Sequence, residues 1–204
     1  MKLLAFSDLH ADRAAARRLV ELAESADVLI GAGDFGNARR DVDVCLRILA
    51  ETRKPAILVP GNSESDDELR VAAEVWPEAR VLHGSATTID GFTFFGLGGG
   101  VPVTPFGAWS FDLTEAAAAE LLERMPSGSV LVSHSPPKGL LDRDSRGRSL
   151  GSEAIRSAVE KLRPPLVVCG HIHASGGQKL RWLDSEILNA GPKGVFYVAQ
   201  ASSL

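Results

Sequence analysis

The stretch Val28-Leu29-Ile30-Gly31-Ala32-Gly33-Asp34 is an unbroken apolar run that ends in a carboxylate. A short apolar run bounded by glycine predicts a buried strand. Four other runs share the design, since each is followed by polar residues able to bind a metal ion: 3–7 before Asp8-Leu9-His10, 56–60 before Gly61-Asn62, 130–133 before His134, and 166–170 before His171-Ile172-His173. Buried strands that each deliver a ligand at the carboxyl end favour a metal site at that end.

Helical patterns separate the first of these runs. Apolar residues recur at helical spacing over residues 11–25, 41–51 and 64–75, so the first third of the chain alternates strand and helix. Such alternation is typical of an α/β sheet whose functional groups gather at the carboxyl ends of its strands.

The middle of the chain has a different character. Residues 81–83, 86–90 and 92–95 are predicted to be short strands of a second, more antiparallel sheet, with a hairpin at Asp90-Gly91. A loop is expected over residues 96–107. Asp112 and Glu115 have the spacing of a capping box for a helix over 116–125. The last third is predicted as a strand, a helix over 152–162, a second strand, and three closing strands near 180–183, 186–188 and 195–199.

Composition narrows the class of protein. The 204 residues are 45% hydrophobic, which fits one domain spanning 1–204. A net charge of −4 argues against general nucleic-acid binding, because that function favours a clustered basic excess. Two unpatterned cysteines, Cys45 and Cys169, are interpreted as buried thiols in a reducing compartment. With an N-terminal apolar segment too short for a signal peptide and no membrane-length run, we expect a cytoplasmic protein.

The polar residues at the strand ends form a coherent set of metal ligands: Asp8, His10, Asp34, Asn62, His134, His171 and His173. In Asp8-Leu9-His10 and His171-Ile172-His173, the i, i+2 spacing lets both polar side chains of an extended segment point the same way. Seven ligands can serve two cations if one carboxylate is shared. We assign that shared position to Asp34.

At these residues the chain resembles the calcineurin-like metallophosphoesterase superfamily, and its compact length and Ser133-His134-Ser135-Pro136-Pro137 segment resemble the small prokaryotic members. The resemblance implies a four-layer α/β/β/α sandwich of two mixed sheets, the metallo-dependent phosphatase fold. It also implies two divalent cations and in-line attack on phosphorus by a hydroxide that bridges them. Residues Asp8, His10, Asp34 and His173 would hold one ion, and Asp34, Asn62, His134 and His171 the other. Asn62 and His134 are also assigned as catalytic. We expect Mn²⁺, with Fe, Zn²⁺, Ni²⁺ and Mg²⁺ left open because the mixed donor set does not choose among them.

One departure from the family pattern bears on the substrate. Ser63 stands where many members have a histidine thought to protonate the leaving oxygen. A serine hydroxyl donates a hydrogen bond but is not a general acid near neutral pH. Small members of the superfamily with another residue at this position are often phosphodiesterases, so the resemblance implies a phosphodiesterase acting on a small phosphodiester. A phosphomonoesterase, a nuclease and a non-catalytic protein-binding scaffold with the same fold are the alternatives.

Other residues have weaker assignments. Ser63 and Arg143 are predicted to bind substrate, with a plain turn as the alternative for Ser63 and a solvated basic loop as the alternative for Arg143. Phe106 and Trp109 either line the substrate cleft or pin their loop to the sheet. Glu64 is interpreted as a carboxylate at a helix N-terminus, and His83 as structural or solvent-exposed. A homo-oligomer is left open.

Overall fold

The computed structural model describes residues 1–200. These residues form eleven strands and five α-helices. The strands are β1 (Lys2–Phe6), β2 (Val28–Gly31), β3 (Ala56–Leu58), β4 (Ala79–Val81), β5 (Ser85–Ile89), β6 (Phe92–Leu97), β7 (Val130–Ser133), β8 (Leu166–Cys169), β9 (Lys179–Trp182), β10 (Ser185–Asn189) and β11 (Val195–Val198). The helices are α1 (Arg13–Ala23), α2 (Val42–Leu49), α3 (Asp66–Ala73), α4 (Glu115–Leu122) and α5 (Glu153–Leu162).

The first sheet has five strands in the order β11-β1-β2-β3-β4. Strands β1 to β4 are parallel, and β11 lies antiparallel to β1 at the edge. The predicted strand and helix repeats are confirmed. The placement of the run near residue 81 was wrong, because β4 ends at Val81 and pairs with β3 instead of joining the second sheet. Helix α3 forms the crossover between β3 and β4, and a crossover of this kind returns the chain to a parallel neighbour in the same sheet.

The second sheet has six strands in the order β5-β6-β7-β8-β10-β9. Its central strands β6, β7, β8 and β10 are parallel, whereas β5 and β9 are antiparallel edge strands. The antiparallel character predicted for this sheet is therefore confined to its two edges. The hairpin predicted at Asp90-Gly91 is confirmed, since Ile89 pairs with Phe92 across it.

Three buried apolar clusters separate four layers. One lies between the first sheet and α1 to α3, and contains Phe6, Leu46 and Trp76. The second lies between the sheets, where Ile30 and Val132 are fully buried. The third lies between the second sheet and helices α4 and α5. The α/β/β/α sandwich is confirmed, and both sheets direct the carboxyl ends of parallel strands to one edge.

Helix starts differ from prediction in two places. Helix α3 begins at Asp66, and its capping box joins Ser65 to Glu68, so Glu64 lies outside the helix. Helix α4 is capped by Thr114, whose side chain accepts the N–H of Ala117. The predicted capping role of Asp112 was wrong. Its carboxylate instead accepts three hydrogen bonds within the preceding loop, from the N–H and the hydroxyl of Thr104 and from the hydroxyl of Ser110. Three donors satisfy the carboxylate better than a single backbone N–H at the start of a helix would.

Two further sequence predictions concern burial. Cys45 and Cys169 are free and buried, as expected for small apolar residues. Within residues 1–200, no helix combines the length and the apolar character that a membrane crossing requires.

Candidate metal centre

The carboxyl ends of β1, β2, β3, β7 and β8 converge where the two sheets meet. The loop that follows β1 is bonded to the loop that follows β2 (the β2 loop, residues 32–37). The Asp8 N–H donates to the Gly33 carbonyl at 2.9 Å, and the His10 N–H donates to the Asp34 carbonyl at 3.0 Å. The loop that follows β8 joins them through the His171 N–H, which donates to Asp8 Oδ1 at 3.0 Å.

Several predicted ligands have left-handed backbone conformations. The φ angles are 56° at Asp8, 46° at His10, 57° at Asp34 and 64° at His171. Such values are uncommon outside glycine, and they persist only where the surrounding structure enforces them. The sharp turns that follow the strands are what direct these side chains towards a common point.

A first group of potential ligands comprises Asp8, His10 and His173, whose ligand atoms all lie within 4.8 Å of one another. The two imidazoles approach with Nε2 atoms 3.1 Å apart. His173 Nε2 lies 3.6 Å from Asp8 Oδ1. A carboxylate and two ring nitrogens directed at one point are a donor set that suits borderline divalent metals.

A second group comprises Asp8, Asp34 and His134, again within 4.8 Å. Asn62 adjoins it, with Oδ1 3.2 Å from His134 Nε2. Asp8 belongs to both groups, and Asp34 of the second group also approaches a histidine of the first: Oδ1 is 3.4 Å from His134 Nε2, and Oδ2 is 3.7 Å from His10 Nε2. This is the placement that a shared carboxylate requires.

His171 is placed differently from the other predicted ligands. Its ring centroid is 4.9 Å from that of His134, yet its nitrogens belong to neither close group. Burial, together with the nearby His134, lowers the pKa of His171 to about 4. The structure therefore brings His171 to the edge of the second group as a neutral imidazole, the form that can coordinate a cation.

Backbone carbonyls fix two imidazoles in a useful orientation. His134 Nδ1 lies 2.8 Å from the Ala32 carbonyl oxygen, and His10 Nδ1 lies 3.3 Å from that of Gly36. A carbonyl only accepts, so in the neutral rings these contacts place the proton on Nδ1. The Nε2 lone pairs are then directed at the two groups, an arrangement common among metal-binding histidines.

The electrostatics also suit cations. Burial acts to raise the pKa of Asp8, but hydrogen bonds from His173 and Ser7 and the charge of His134 outweigh it and lower the pKa to about 2. The hydrogen bond to Asp8 raises the pKa of His173. Burial opposes protonation of His134, yet the charges of Asp34 and Asp8 raise its pKa. Buried carboxylates that favour positive charge on adjoining groups fit a pair of divalent cations.

Ser63 and Glu64 follow Asn62 and occupy buried positions. The Ser63 N–H donates to Asp34 Oδ1 at 2.8 Å, whereas its hydroxyl makes no hydrogen bond to any residue from 1 to 200. Glu64 was wrongly interpreted as a helix N-terminal carboxylate. It points into the β2 loop, where its carboxylate accepts N–H groups from both ligand-bearing loops. The spacing of apolar residues gave no sign of this, because a helix predicted to start at 64 already accounted for the carboxylate.

Arg143 does not join the ligand cluster through any described contact. Its guanidinium donates to the Gly147 carbonyl at 2.8 Å within its own loop. Arg148 is likewise paired locally with Asp144. His83 has the structural role expected, since its Nδ1 accepts the N–H of Gly98 at 3.1 Å.

The loop after β6 carries two exposed aromatic rings next to the centre. Phe106 and Trp109 stack with centroids 5.5 Å apart and remain 50% and 37% exposed. The loop is anchored to a candidate ligand because the Phe111 N–H donates to the Asn62 carbonyl at 2.9 Å. Arg39, which the sequence did not single out, connects the loops: its N–H donates to the Ser63 carbonyl, and its guanidinium contacts Glu68 and the Trp109 carbonyl.

The fold and this arrangement of ligands define a class. Residues 1–175 match the calcineurin-like phosphoesterase family, and the chain belongs to it. The resemblance inferred from the strand-end motifs is thereby confirmed.

The individual relatives found are less than 30% identical to this chain. A UPF0046 protein of Caenorhabditis elegans is 29% identical over 172 residues, which are 74% of this chain and 58% of the relative. The chain thus spans little more than half of that curated relative, and 31% of a second UPF0046 protein from the same organism. Neither match covers enough of the relative to transfer a whole-protein activity.

Solved structures with the same fold cover almost the whole chain. The TT1561 protein of Thermus thermophilus has a TM-score of 0.75 at 22% identity, over 94% of this chain and 90% of that one. A dimetal phosphatase from Danio rerio has a TM-score of 0.59 at 13% identity, over 94% and 88%. At these identities the similarity establishes the metallo-dependent phosphatase fold.

Proposed function

We propose that the protein is a dinuclear metal-dependent phosphoric ester hydrolase that acts on a small phosphodiester. The observation that carries this proposal is the position of Asp34, whose two carboxylate oxygens face histidines of two adjacent ligand groups. Residues that only formed turns would not need to face one another in this way. Bringing carboxylates and imidazoles together out of water costs free energy unless a bound charge compensates for it.

We assign the ligand roles from the family pattern; the two groups support them in part, since Asp8 belongs to both groups and Asp34 to the second. One cation would be held by Asp8, His10, Asp34 and His173. The other would be held by Asp34, Asn62, His134 and His171. When bound, such a pair supplies Lewis-acid activation of water and of the phosphoryl oxygens. The protein's own contribution is to fix the ligands: the Ala32 and Gly36 carbonyls hold His134 and His10 with their Nε2 atoms directed inward.

The preference for diesters rests on Ser63. Its hydroxyl is left without a partner among residues 1–200, so it can donate a hydrogen bond to a phosphoryl oxygen, but it supplies no proton to a poor leaving group. An aryl leaving group needs little such help in a diester or a monoester, so the preference for diesters itself is carried over from small family members that lack the histidine. We propose Mn²⁺ as the working metal, with Fe, Zn²⁺, Ni²⁺ and Mg²⁺ as alternatives, because the mixed carboxylate, amide and imidazole donors do not choose among them.

The test compares two aryl esters. Purified protein, stripped with a chelator and reconstituted separately with Mn²⁺, Fe²⁺, Zn²⁺, Ni²⁺ and Mg²⁺, is assayed on bis(p-nitrophenyl) phosphate and on p-nitrophenyl phosphate. We expect hydrolysis only after reconstitution, fastest with Mn²⁺, and faster for the diester. Faster hydrolysis of the monoester would overturn the substrate assignment. Two bound ions without turnover of either ester would overturn the enzymatic one.

A further inference from the structure

Glu64 is a fully buried carboxylate at the junction of two ligand-bearing loops, here called the β2 loop (residues 32–37) and the β3 loop (residues 59–65). Its Oε1 accepts the N–H groups of Asp34 and Gly61, each at 2.8 Å, and that of Phe35 at 3.3 Å. Its Oε2 accepts the N–H of Gly36 at 3.2 Å. Every hydrogen bond described for this carboxylate comes from backbone.

The backbone of the β2 loop explains why these N–H groups converge. Gly33 and Asp34 have φ angles of 91° and 57°, and this conformation turns successive N–H groups towards the same side. Successive N–H groups arranged in this way form a concavity that binds an anion. Here the anion is the chain's own Glu64, contributed by the neighbouring β3 loop.

The two loops hold each other reciprocally. Glu64 of the β3 loop binds the backbone of Asp34, while Asp34 Oδ1 of the β2 loop accepts the N–H of Ser63 at 2.8 Å. The loops are in direct contact, since a Cβ at Gly61 would overlap the backbone and carboxylate of Asp34. Neither candidate ligand, Asp34 or Asn62, can therefore shift without breaking contacts across the junction.

We propose that Glu64 is a positioning residue for the metal centre. Its carboxylate sets the relative position of the β2 and β3 loops, and so fixes where the Asp34 carboxylate and the Asn62 amide present their oxygens. This inference rests on the proposed metal-binding function, but it concerns the affinity for metal and not the choice of substrate.

The test measures the binding of Mn²⁺ without substrate. In Glu64→Gln one oxygen remains to accept N–H groups, while the amide NH₂ meets a backbone donor and the negative charge is lost. We expect the Mn²⁺ dissociation constant, measured by competition with a fluorescent chelator, to rise about 10- to 100-fold, as for other groups that orient metal ligands. Glu64→Asp keeps the charge but shortens the side chain, and a smaller rise in the same constant is expected.

Glu115→Gln is the matched control. Glu115 also uses its carboxylate to bind the backbone of another element, accepting the N–H groups of Glu153 and Ala154 and the Ser152 hydroxyl, yet none of its hydrogen bonds involves a candidate ligand. We expect Glu115→Gln to lower the unfolding temperature of the metal-free protein while leaving the Mn²⁺ dissociation constant unchanged.

Three outcomes are decisive. A raised dissociation constant in the Glu64 variants, with diester turnover restored at saturating Mn²⁺, supports positioning. An unchanged dissociation constant beside a lowered unfolding temperature, as in Glu115→Gln, overturns it and leaves Glu64 a purely structural residue. Wild-type protein that binds Mn²⁺ but hydrolyses no ester overturns the proposed reaction alone, because the comparison of metal affinities can still be made.

Discussion

The two halves of the candidate metal centre differ in how firmly the protein holds their side chains. In the inner half, Asp34, Asn62 and His134 are 3%, 3% and 0% exposed; the side chains of Asp34 and His134 contact neighbouring backbone, and Asn62 Oδ1 lies 3.2 Å from His134 Nε2. In the outer half, the side chains of His10 and His173 are 28% and 63% exposed. His10 has one orienting contact at 3.3 Å, and His173 lies on a single 3-10 turn.

This difference in exposure predicts that the two halves differ in their affinity for metal ions. Ligands that are already fixed lose little conformational entropy when an ion binds, whereas an exposed side chain must be immobilised. The inner half is thus expected to bind its cation more tightly, and the outer half to exchange its cation more readily. Asp34 and Asp8 connect the halves, so they are the residues at which this asymmetry can be removed altogether.

The largest effect is expected from Asp34→Asn, which removes the charge shared by both halves. The amide oxygen can still accept the Ser63 N–H, so the fold should persist. Loss of metal-based catalysis worth several kcal/mol should reduce diester turnover by more than ~10³-fold. Activity and metal content are measured together, with Asp43→Asn as the control, because Asp43 is a partly exposed carboxylate that pairs with Arg47. Two tightly bound ions in Asp34→Asn would contradict the bridging role.

A comparison of His134→Ala with His173→Ala tests the asymmetry directly. Removing exposed His173 should leave the fold intact and one ion per chain after dialysis. Removing His134, which is fully buried, should eliminate the tighter site and also cost about 2–5 kcal/mol of stability through the cavity left behind. Metal analysis and denaturant unfolding measure the two quantities. Equal metal loss and equal unfolding free energies in the two variants would show that the halves do not differ.

Prediction from sequence succeeded where one residue's surroundings decide its role. The apolar runs that precede Asp34 and His134 were predicted to be buried strands and form β2 and β7, because burial follows from local pattern; the ligand roles of the two residues stay a prediction. The sandwich followed from the resemblance carried by the same residues. The sequence did not allow us to predict which neighbouring loop a polar side chain would bind. Glu64 had the spacing of a helix start, and only the left-handed turn at Gly33 and Asp34 reveals that its partner lies about 30 residues earlier.

The incorrect capping prediction for Asp112 has the same cause. Its distance from Glu115 suited a capping box, yet Thr114 caps the helix, since Asp112 satisfies more donors by folding back on Thr104 and Ser110. Local patterns place an element to within a few residues, while a polar side chain goes wherever the tertiary structure presents the most unsatisfied donors. Both errors fall on carboxylates that stabilise loops beside the centre.

The substitution Ser63→His tests whether the inner half lacks a general acid for the leaving group. Ser63 lies beside Asn62, and an imidazole there could supply a proton to the leaving oxygen. Turnover of an alkyl phosphomonoester, whose alkoxide leaving group needs a proton, is expected to rise by up to ~10²-fold, with little change for bis(p-nitrophenyl) phosphate, whose p-nitrophenolate leaves without one. Ser63→Asn, which adds comparable bulk without an acid, is the control, and unfolding temperatures of both variants check that the buried position accepts the larger side chain. Unchanged monoester turnover in a folded Ser63→His protein would leave the diester preference without this explanation.

The smallest effect is expected at Trp109, on the loop anchored to the inner half through Phe111 and Asn62. If its exposed ring contacts an aromatic part of the substrate, Trp109→Ala removes a stacking contact worth about 0.5–1.5 kcal/mol. This corresponds to a rise in KM of about 2- to 10-fold for bis(p-nitrophenyl) phosphate at unchanged kcat. Trp109→Phe retains a flat ring and should restore most of the loss. Equal KM values in all three proteins would show that the stack with Phe106 only pins the loop, and that substrate selection lies with the buried ligands alone.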